Sequence, residues 1–287
     1  MTPLRPNPLR TIAHAIYFGI ALLVWVVTVG ARLRAKRRVV LCYHGVTAAQ
    51  ADRFARQMRM ISGRIVPIEA LDTPPTGRGR PDVILTFDDA FVNLIDRALP
   101  TLRDSGAPAT IFAVAGNLGE PPKWSMPAGH PDRAVRTMTE AELIAVARDP
   151  GVRIGSHTMT HPSLDRLDAE RAREELVTSR DRLESMLGGA IEDLALPHGA
   201  GTAETIRLAR DAGYRRVLTL EHECEPSRLG AGVIGRFSVS PDTPPIAFRL
   251  IVDGAYGWLG PMRRAVRRLS GRASRGNSAA PLVEASA

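Results

Sequence analysis

Two apolar runs that stop at clusters of acidic and imidazole side chains constrain this chain more than any other feature. Asp82-Val83-Ile84-Leu85-Thr86-Phe87 ends at Asp88-Asp89, and about seventy residues later Val152-Arg153-Ile154-Gly155 opens onto Ser156-His157-Thr158-Met159-Thr160-His161. Each run is strand-like and precedes a helical pattern, so both clusters fall at one end of a parallel strand-helix array, where such folds carry their chemistry. Histidines at i and i+4 share a face of a helical turn, one carboxylate completes a facial set of metal ligands, and the spare Asp is then a base. Singly, each cluster has a plainer reading. A strand-end Asp also serves as the N-cap of the next helix, and His157 could cap or sit in a polar pocket. The coincidence of the two favours a site.

The rest of the chain fits this array. Val39 to Tyr43 reads as a first strand ending at His44-Gly45, followed by a helix through Phe54, Met58 and Ile61 and a short strand over Arg64 to Ile68. From Asp89 to Arg103 the spacing of Phe91, Leu94, Ile95, Ala98 and Leu102 predicts one amphipathic helix despite Pro100. Ala109 to Val114 is a buried strand, and the Pro- and Gly-containing stretch Gly116 to Arg136 a long loop able to roof a site. Thr139-Glu140-Ala141-Glu142 has the form of a capping box, and Asp168 caps a long helix to Leu187. Ile191 to Leu196, Thr202 to Ala212 and Arg216 to Leu220 continue as strand, helix and strand. Strand and helix alternate throughout, so the predicted class is α/β, with a parallel sheet closed or nearly closed into a barrel.

The formal charge of +8 suggests nucleic acid until it is mapped. Residues 1–38 hold seven Lys and Arg with no acid, and the tail from Gly260 holds six Arg with Glu284 alone, so the middle is mildly acidic. Basic ends without interleaved aromatics fit an anionic membrane surface better than a nucleic-acid groove, so no nucleic-acid partner is expected. Ile12 to Gly30 is apolar apart from His14 and Thr28 and approaches the length of a membrane-crossing helix. Arg32, Arg34, Lys36, Arg37 and Arg38 follow the apolar stretch and only Arg5 and Arg10 precede it, the reverse of a signal peptide, and Ile16 to Val27 lacks the polar face of an interfacial helix. The expectation is an uncleaved single-pass anchor over 1–38, with the catalytic part on the cytoplasmic face by the positive-inside rule and an extracytoplasmic placement as the alternative. The main domain is expected over 39–259. Residues 260–287 read as a basic amphipathic stub (Arg263, Arg264, Arg267, Arg268) and a disordered tail. Cys42, inside an apolar run, is most simply a small core residue, and neither it nor Cys224 demands a disulfide.

Together the motifs resemble the polysaccharide deacetylase family, carbohydrate esterases that share the domain of the nodulation chitooligosaccharide deacetylase. Thr86-Phe87-Asp88-Asp89 is similar to the family's first motif, His157-Thr158-Met159-Thr160-His161 to its second, and Cys42-Tyr43-His44-Gly45-Val46 to the Tyr-His opening of exopolysaccharide-associated members. The resemblance implies a distorted (β/α) barrel of about seven strands and hydrolysis of the acetamide of an N-acetylhexosamine. It also implies a divalent metal, usually zinc, with cobalt, nickel or manganese as alternatives. Carried over, Asp89, His157 and His161 are the metal ligands and Asp88 the base. The family's Arg-x-Pro-Tyr-Gly motif maps onto Ala195-Leu196-Pro197-His198-Gly199, so the Arg that braces the base is replaced by Ala195 and the aromatic by His198, whose backbone N–H would stabilise the oxyanion. The usual late His is missing from Ile234-Gly235-Arg236-Phe237-Ser238-Val239, which leaves His44, His198 and His222 as candidates for the acid, His44 first. Tyr43, Pro197, Gly199 and Arg236 are expected near the substrate, Arg236 alternatively as a strand-end anchor. The implied partner is an N-acetylated glycan, membrane-associated or lipid-linked; a soluble chitooligosaccharide and a binding homologue that lost turnover are the other readings. Oligomeric state is not encoded in these motifs.

Overall fold

Every strand of the computed structural model is parallel to its neighbours. The structure describes residues 16–23, 25–26, 36–127, 129–225 and 230–269. Eight strands form one sheet in the order β7-β6-β5-β4-β3-β2-β1-β8. They are β1 (Arg38–Tyr43), β2 (Asp82–Phe87), β3 (Ala109–Ala113), β4 (Val152–Ser156), β5 (Asp193–Ala195), β6 (Arg216–Leu218), β7 (Val233–Ile234) and β8 (Phe237–Ser238). β7 pairs with β6 through Val217↔Val233, and β8 pairs with β1 through Leu41↔Phe237. Only Gly235 and Arg236 separate these edge strands, so one bulged segment spans the seam and closes the barrel covalently. Counted as one interrupted strand, it reconciles the eight strands with the expected seven.

The two faces of the sheet are both apolar, as strands covered on both sides require. Val40, Ile84, Phe112, Ala195, Leu218 and Ile234, one from each of six strands, form a layer inside the barrel. Val39, Leu41, Tyr43, Val83, Leu85 and Phe87, of opposite parity, pack outward against helices α1 (Ala51–Met60), α2 (Asn93–Arg97), α3 (Leu99–Asp104), α4 (Glu140–Ala147), α5 (Ala169–Leu187), α6 (Ala203–Asp211) and α7 (Pro245–Val252). The caps act as expected. Thr139 accepts the Glu142 N–H and Glu142 returns to the Thr139 N–H; Asp168 accepts the Arg171 N–H, and Gly188 ends α5 at φ 68°.

Several expectations are corrected. Asp89 to Arg103 is not one helix: Asp89 and Ala90 have φ of 70° and 51°, and the helical part is divided at Ala98, where Pro100 in the first turn of α3 cannot donate to the preceding turn. Arg64 to Ile68 is no strand. Only Ile65 bridges Val83, and Ile68–Asp72 turns as a 3-10 helix. His157 to His161 is not helical, since Thr158 and His161 have φ of 67° and 63°.

Among the described residues no helix is long and apolar enough to cross a membrane, so the single-pass anchor lacks support. Parts of Ile12 to Gly30 lie outside the described residues. Residues 16–23 and 25–26 are helical, and Ala21 packs with Leu250 and Ala255 while Trp25 Nε1 donates to Asp253 Oδ2 at 3.0 Å. The basic C-terminal stub is helical as α8 (Leu259–Leu269); the tail beyond it lies outside the described residues.

Candidate metal centre

The carboxyl ends of β1, β2, β4 and β5 bring the expected residues together at one end of the barrel. Asp89 Oδ1 lies 3.7 Å from His157 Nε2 and 3.6 Å from His161 Nε2, and all three residues are buried. The convergence depends on left-handed backbone at Asp89 and His161, which places side chains where a continued strand or helix would not. His157 Nδ1 is 2.8 Å from the Ala195 carbonyl, an acceptor, so that nitrogen carries the proton and Nε2 offers its lone pair towards Asp89. His161 is held by rings instead. Trp124, from the loop of 116–136, stacks on it at 4.5 Å between centroids, and His198 meets it edge-on at 4.8 Å.

The electrostatics suit a cation site. Asp89 Oδ1 is buried without a hydrogen bond. Burial, partly offset by His44 and reinforced by the negative charges of Asp88 and Asp132, pushes its pKa up to about 7. Burial lowers His157 to about 4, and burial with the neighbouring His157 and His198 takes His161 well below the ordinary imidazole value. A neutral imidazole pair facing a carboxylate without a partner is the donor set of a divalent ion, which would restore the charge balance that burial upsets.

Asp88 differs completely. Its two oxygens accept from Arg236 Nη1 at 2.7 Å and Nη2 at 2.9 Å, and Cys42 Sγ stands 3.2 Å from Oδ2. Burial alone would raise its pKa, but the Arg236 charge, with His157 and the Arg236 hydrogen bonds, holds the carboxyl well below the usual range. Asp88 Oδ2 is 3.8 Å from His157 Nε2, so it borders the same space as Asp89.

The remaining expected residues divide. Nitrogen, sulfur and oxygen atoms of His44, Cys42 and Asp88 lie within 4.8 Å of one another, which puts the half-exposed His44 at the site. Pro197 is buried at the start of a 3-10 turn, in which His198 has φ 57° and its ring reaches the mouth. At Gly199, with φ 63°, a Cβ would lie 2.5 Å from the Leu220 nitrogen, so the turn requires glycine. Tyr43 does not face the substrate: it is fully buried, its hydroxyl donates to Gln57 Oε1 at 2.9 Å, and it stacks on Phe87. Arg236 is likewise withdrawn from any substrate, having no exposed surface. His222 packs edge-on against Phe237, and its carbonyl receives the Gly260 N–H at the start of α8.

Sequence reasoning missed Cys42, Trp124 and Asp132. The Asp132 carboxylate accepts the Gly45 N–H at 3.1 Å and Asn93 Nδ2 at 3.2 Å, so the roof loop is tied to the turn that carries His44. Strand parity carried a signal for Cys42, which alternates with Tyr43 and therefore points inward with His44. Trp124 and Asp132 sit in an irregular loop and had none.

Comparison with known proteins places this geometry. The polysaccharide deacetylase model matches residues 76–217, about half of the chain and the whole of the Asp-Asp and His-x-x-x-His motifs. The chain belongs to the polysaccharide deacetylase family. YxkH of Bacillus subtilis (strain 168) is 27% identical over 174 residues, 61% of this chain and 55% of that protein. A chitooligosaccharide deacetylase of Rhizobium leguminosarum bv. trifolii is 28% identical over 141 residues, 47% of this chain and 55% of its own length. The chain thus spans about half the length of these two relatives. Among solved structures, IcaB from Ammonifex degensii superposes with a TM-score of 0.61 at 23% identity, covering 78% of this chain and 100% of that one. The Streptococcus pyogenes deacetylase PplD, in complex with acetate, gives 0.62 at 20% identity, with 75% and 98% coverage. At these identities the likeness is one of fold.

Proposed function

We propose that this member of the family is a metal-dependent carbohydrate N-deacetylase that hydrolyses the acetamide of N-acetylhexosamine residues. The observation that carries the reading is the pair of adjacent carboxylates in opposite environments: Asp89, its Oδ1 buried without a hydrogen bond beside two neutral imidazoles, and Asp88, both of its oxygens bound by Arg236. Asp89, His157 and His161 would hold the cation, with zinc favoured by its preference for two imidazoles and one carboxylate. When bound, such an ion polarises the amide carbonyl and makes a water acidic enough to attack near neutral pH. Asp88 accepts the proton of the attacking water. The backbone N–H of His198 would donate to the developing oxyanion, and His44 would supply the proton that lets the amine leave as the C–N bond breaks, giving acetate and a hexosamine residue with a free amine.

A membrane-associated or lipid-linked glycan is the favoured substrate. Supporting it, the N-terminal helical run leaves Ile16, Ile20, Leu23 and Val26 exposed at helical intervals, and the flanking sequence is wholly basic. We place the catalytic domain on the cytoplasmic face on the strength of those charges. Strong activity of a periplasm-specific reporter fused to the C-terminus would overturn that placement. The soluble-chitooligosaccharide reading draws on the printed activity of the Rhizobium relative.

The test is acetate release from N-acetylglucosamine oligomers and polymers by the zinc-loaded protein. Asp88→Asn is expected to retain metal and lose roughly 100-fold or more in kcat, as for removal of a general base. His157→Ala is expected to lose the metal itself. Unchanged acetate release by Asp88→Asn would remove the base.

A further inference from the structure

Nothing in the chemistry of two neighbouring aspartates says which one should bind a cation and which should stay free. Both are buried, and each presents an oxygen 3.7–3.8 Å from His157 Nε2. Asp89 alone also reaches His161 Nε2, at 3.6 Å, and Asp88 alone meets Arg236. Its guanidinium meets both oxygens of Asp88 in the parallel two-bond geometry that Arg and carboxylate favour, and meets neither oxygen of Asp89 within hydrogen-bonding distance. The same guanidinium donates to Thr86 Oγ1 at 3.1 Å and the Thr219 carbonyl at 3.3 Å, and lies over the Phe112 ring at 5.5 Å. Contacts from β2, β3 and the loop after β6 therefore fix it without solvent.

Its place in the chain is equally telling. Arg236 is one of the two residues that span the barrel seam, outside the stretch matched by the family model. The position where the resemblance puts a bracing Arg holds Ala195, and its methyl group belongs to the interior layer with Phe112 and Ile234. A second cation there would share the barrel interior with Arg236 and, with Asp89 committed to the metal, find no second free carboxylate, a costly burial of unpaired charge.

We propose that Arg236 is the positioning residue that divides the roles of the two aspartates: delivered from the seam, it replaces the brace missing at Ala195, keeps Asp88 out of the cation's ligand set and aims it as the base. The inference rests on the deacetylase reading for its kinetic part only; its effect on metal ligation is independent of substrate.

The test compares cobalt-loaded Arg236→Gln, Arg236→Lys, Ala195→Arg and the double variant Ala195→Arg/Arg236→Gln with the unaltered protein, reading the cobalt absorption spectrum, cobalt affinity and acetate release. In Arg236→Gln, Asp88 is free to join the cation. The spectrum should shift to a higher coordination number, cobalt should bind more tightly, and kcat should fall about 100-fold with KM changed less than about threefold. Arg236→Lys should lie between. The double variant should regain at least about tenfold of the lost kcat and return the spectrum, because the guanidinium is restored from the other side. Ala195→Arg alone should lose activity.

An unaltered spectrum and kcat in Arg236→Gln would overturn the proposal. So would loss of cooperative unfolding and of cobalt binding in the Gln and Lys variants alike, the mark of a purely structural arginine. If the unaltered protein releases no acetate from any oligomer, the deacetylase reading fails, while the cobalt spectra still decide what Arg236 does.

Discussion

Asp88 and Asp89 share a side chain and a backbone bond, and burial acts on both. What separates them is the company each keeps: a guanidinium on Asp88, two uncharged imidazoles on Asp89. This gives a pH dependence whose sign can be worked out. With its folded pKa raised to about 7, metal-free Asp89 contributes stability below the ordinary carboxylate value of about 4, and that contribution is lost as pH rises through about 7. A cation must displace the same proton, so its affinity should fall about tenfold per pH unit below pH 7. His157, at about 4, is already neutral and does not compete over this range. The rise in Tm caused by a fixed zinc concentration should therefore grow from pH 5 to pH 8. A rise independent of pH would show that Asp89 is not the proton that zinc displaces.

Among the elements, the seam carries the most consequence for its size. A Cβ on Gly235 would lie 2.4 Å from the Glu221 carbonyl oxygen, so the close approach that joins β7 to β8 requires glycine. Gly235→Ala should push this bulge outward, lower Tm and reduce kcat together, because Arg236 moves with it; circular dichroism melts beside acetate assays would read both. A stable variant with full turnover would mean that the seam is not what seats Arg236. Much at this scale was legible in the sequence. The apolar runs, the Thr139 and Asp168 caps and the order of strands and helices were readable because each rests on local chemistry. Period-two alternation also held the answer for Tyr43: an odd-numbered neighbour of Leu41 in β1 faces the helices, while Cys42 and His44 face the barrel. The backbone between Asp89 and Phe91 and between His157 and His161 was not legible. Left-handed residues there serve the convergence of side chains, against the helical periodicity of the segments. Arg236 stood out in the sequence, but its pairing with Asp88 was unreadable for a different reason, since that partner lies nearly 150 positions away.

The molecule as a whole keeps its chemistry at one end of the barrel and a charge network at the other. At the amino ends of β4, β5 and β6, fully buried Asp193 accepts from both Arg153 and Arg216, and Asp72, Glu69 and Glu192 complete the set. Removing one member of such a network leaves buried charge without a partner. Asp193→Asn should cost about 3–5 kcal/mol and lower Tm by roughly 10 °C. Because this network lies a full strand length from the metal centre, kcat measured below the new Tm should stay close to that of the unaltered protein. A large drop in kcat at a temperature where the variant is folded would show coupling between the two ends. The account as a whole stands on the convergence of Asp89, His157 and His161 on one cation with Asp88 excluded. The most direct measurement is anomalous scattering from a zinc-loaded crystal. The expected result is a single peak within about 2.0–2.2 Å of an Asp89 oxygen and one nitrogen of each histidine, with both Asp88 oxygens still on Arg236. A peak elsewhere, or one ligated by Asp88 in place of Asp89, would contradict it.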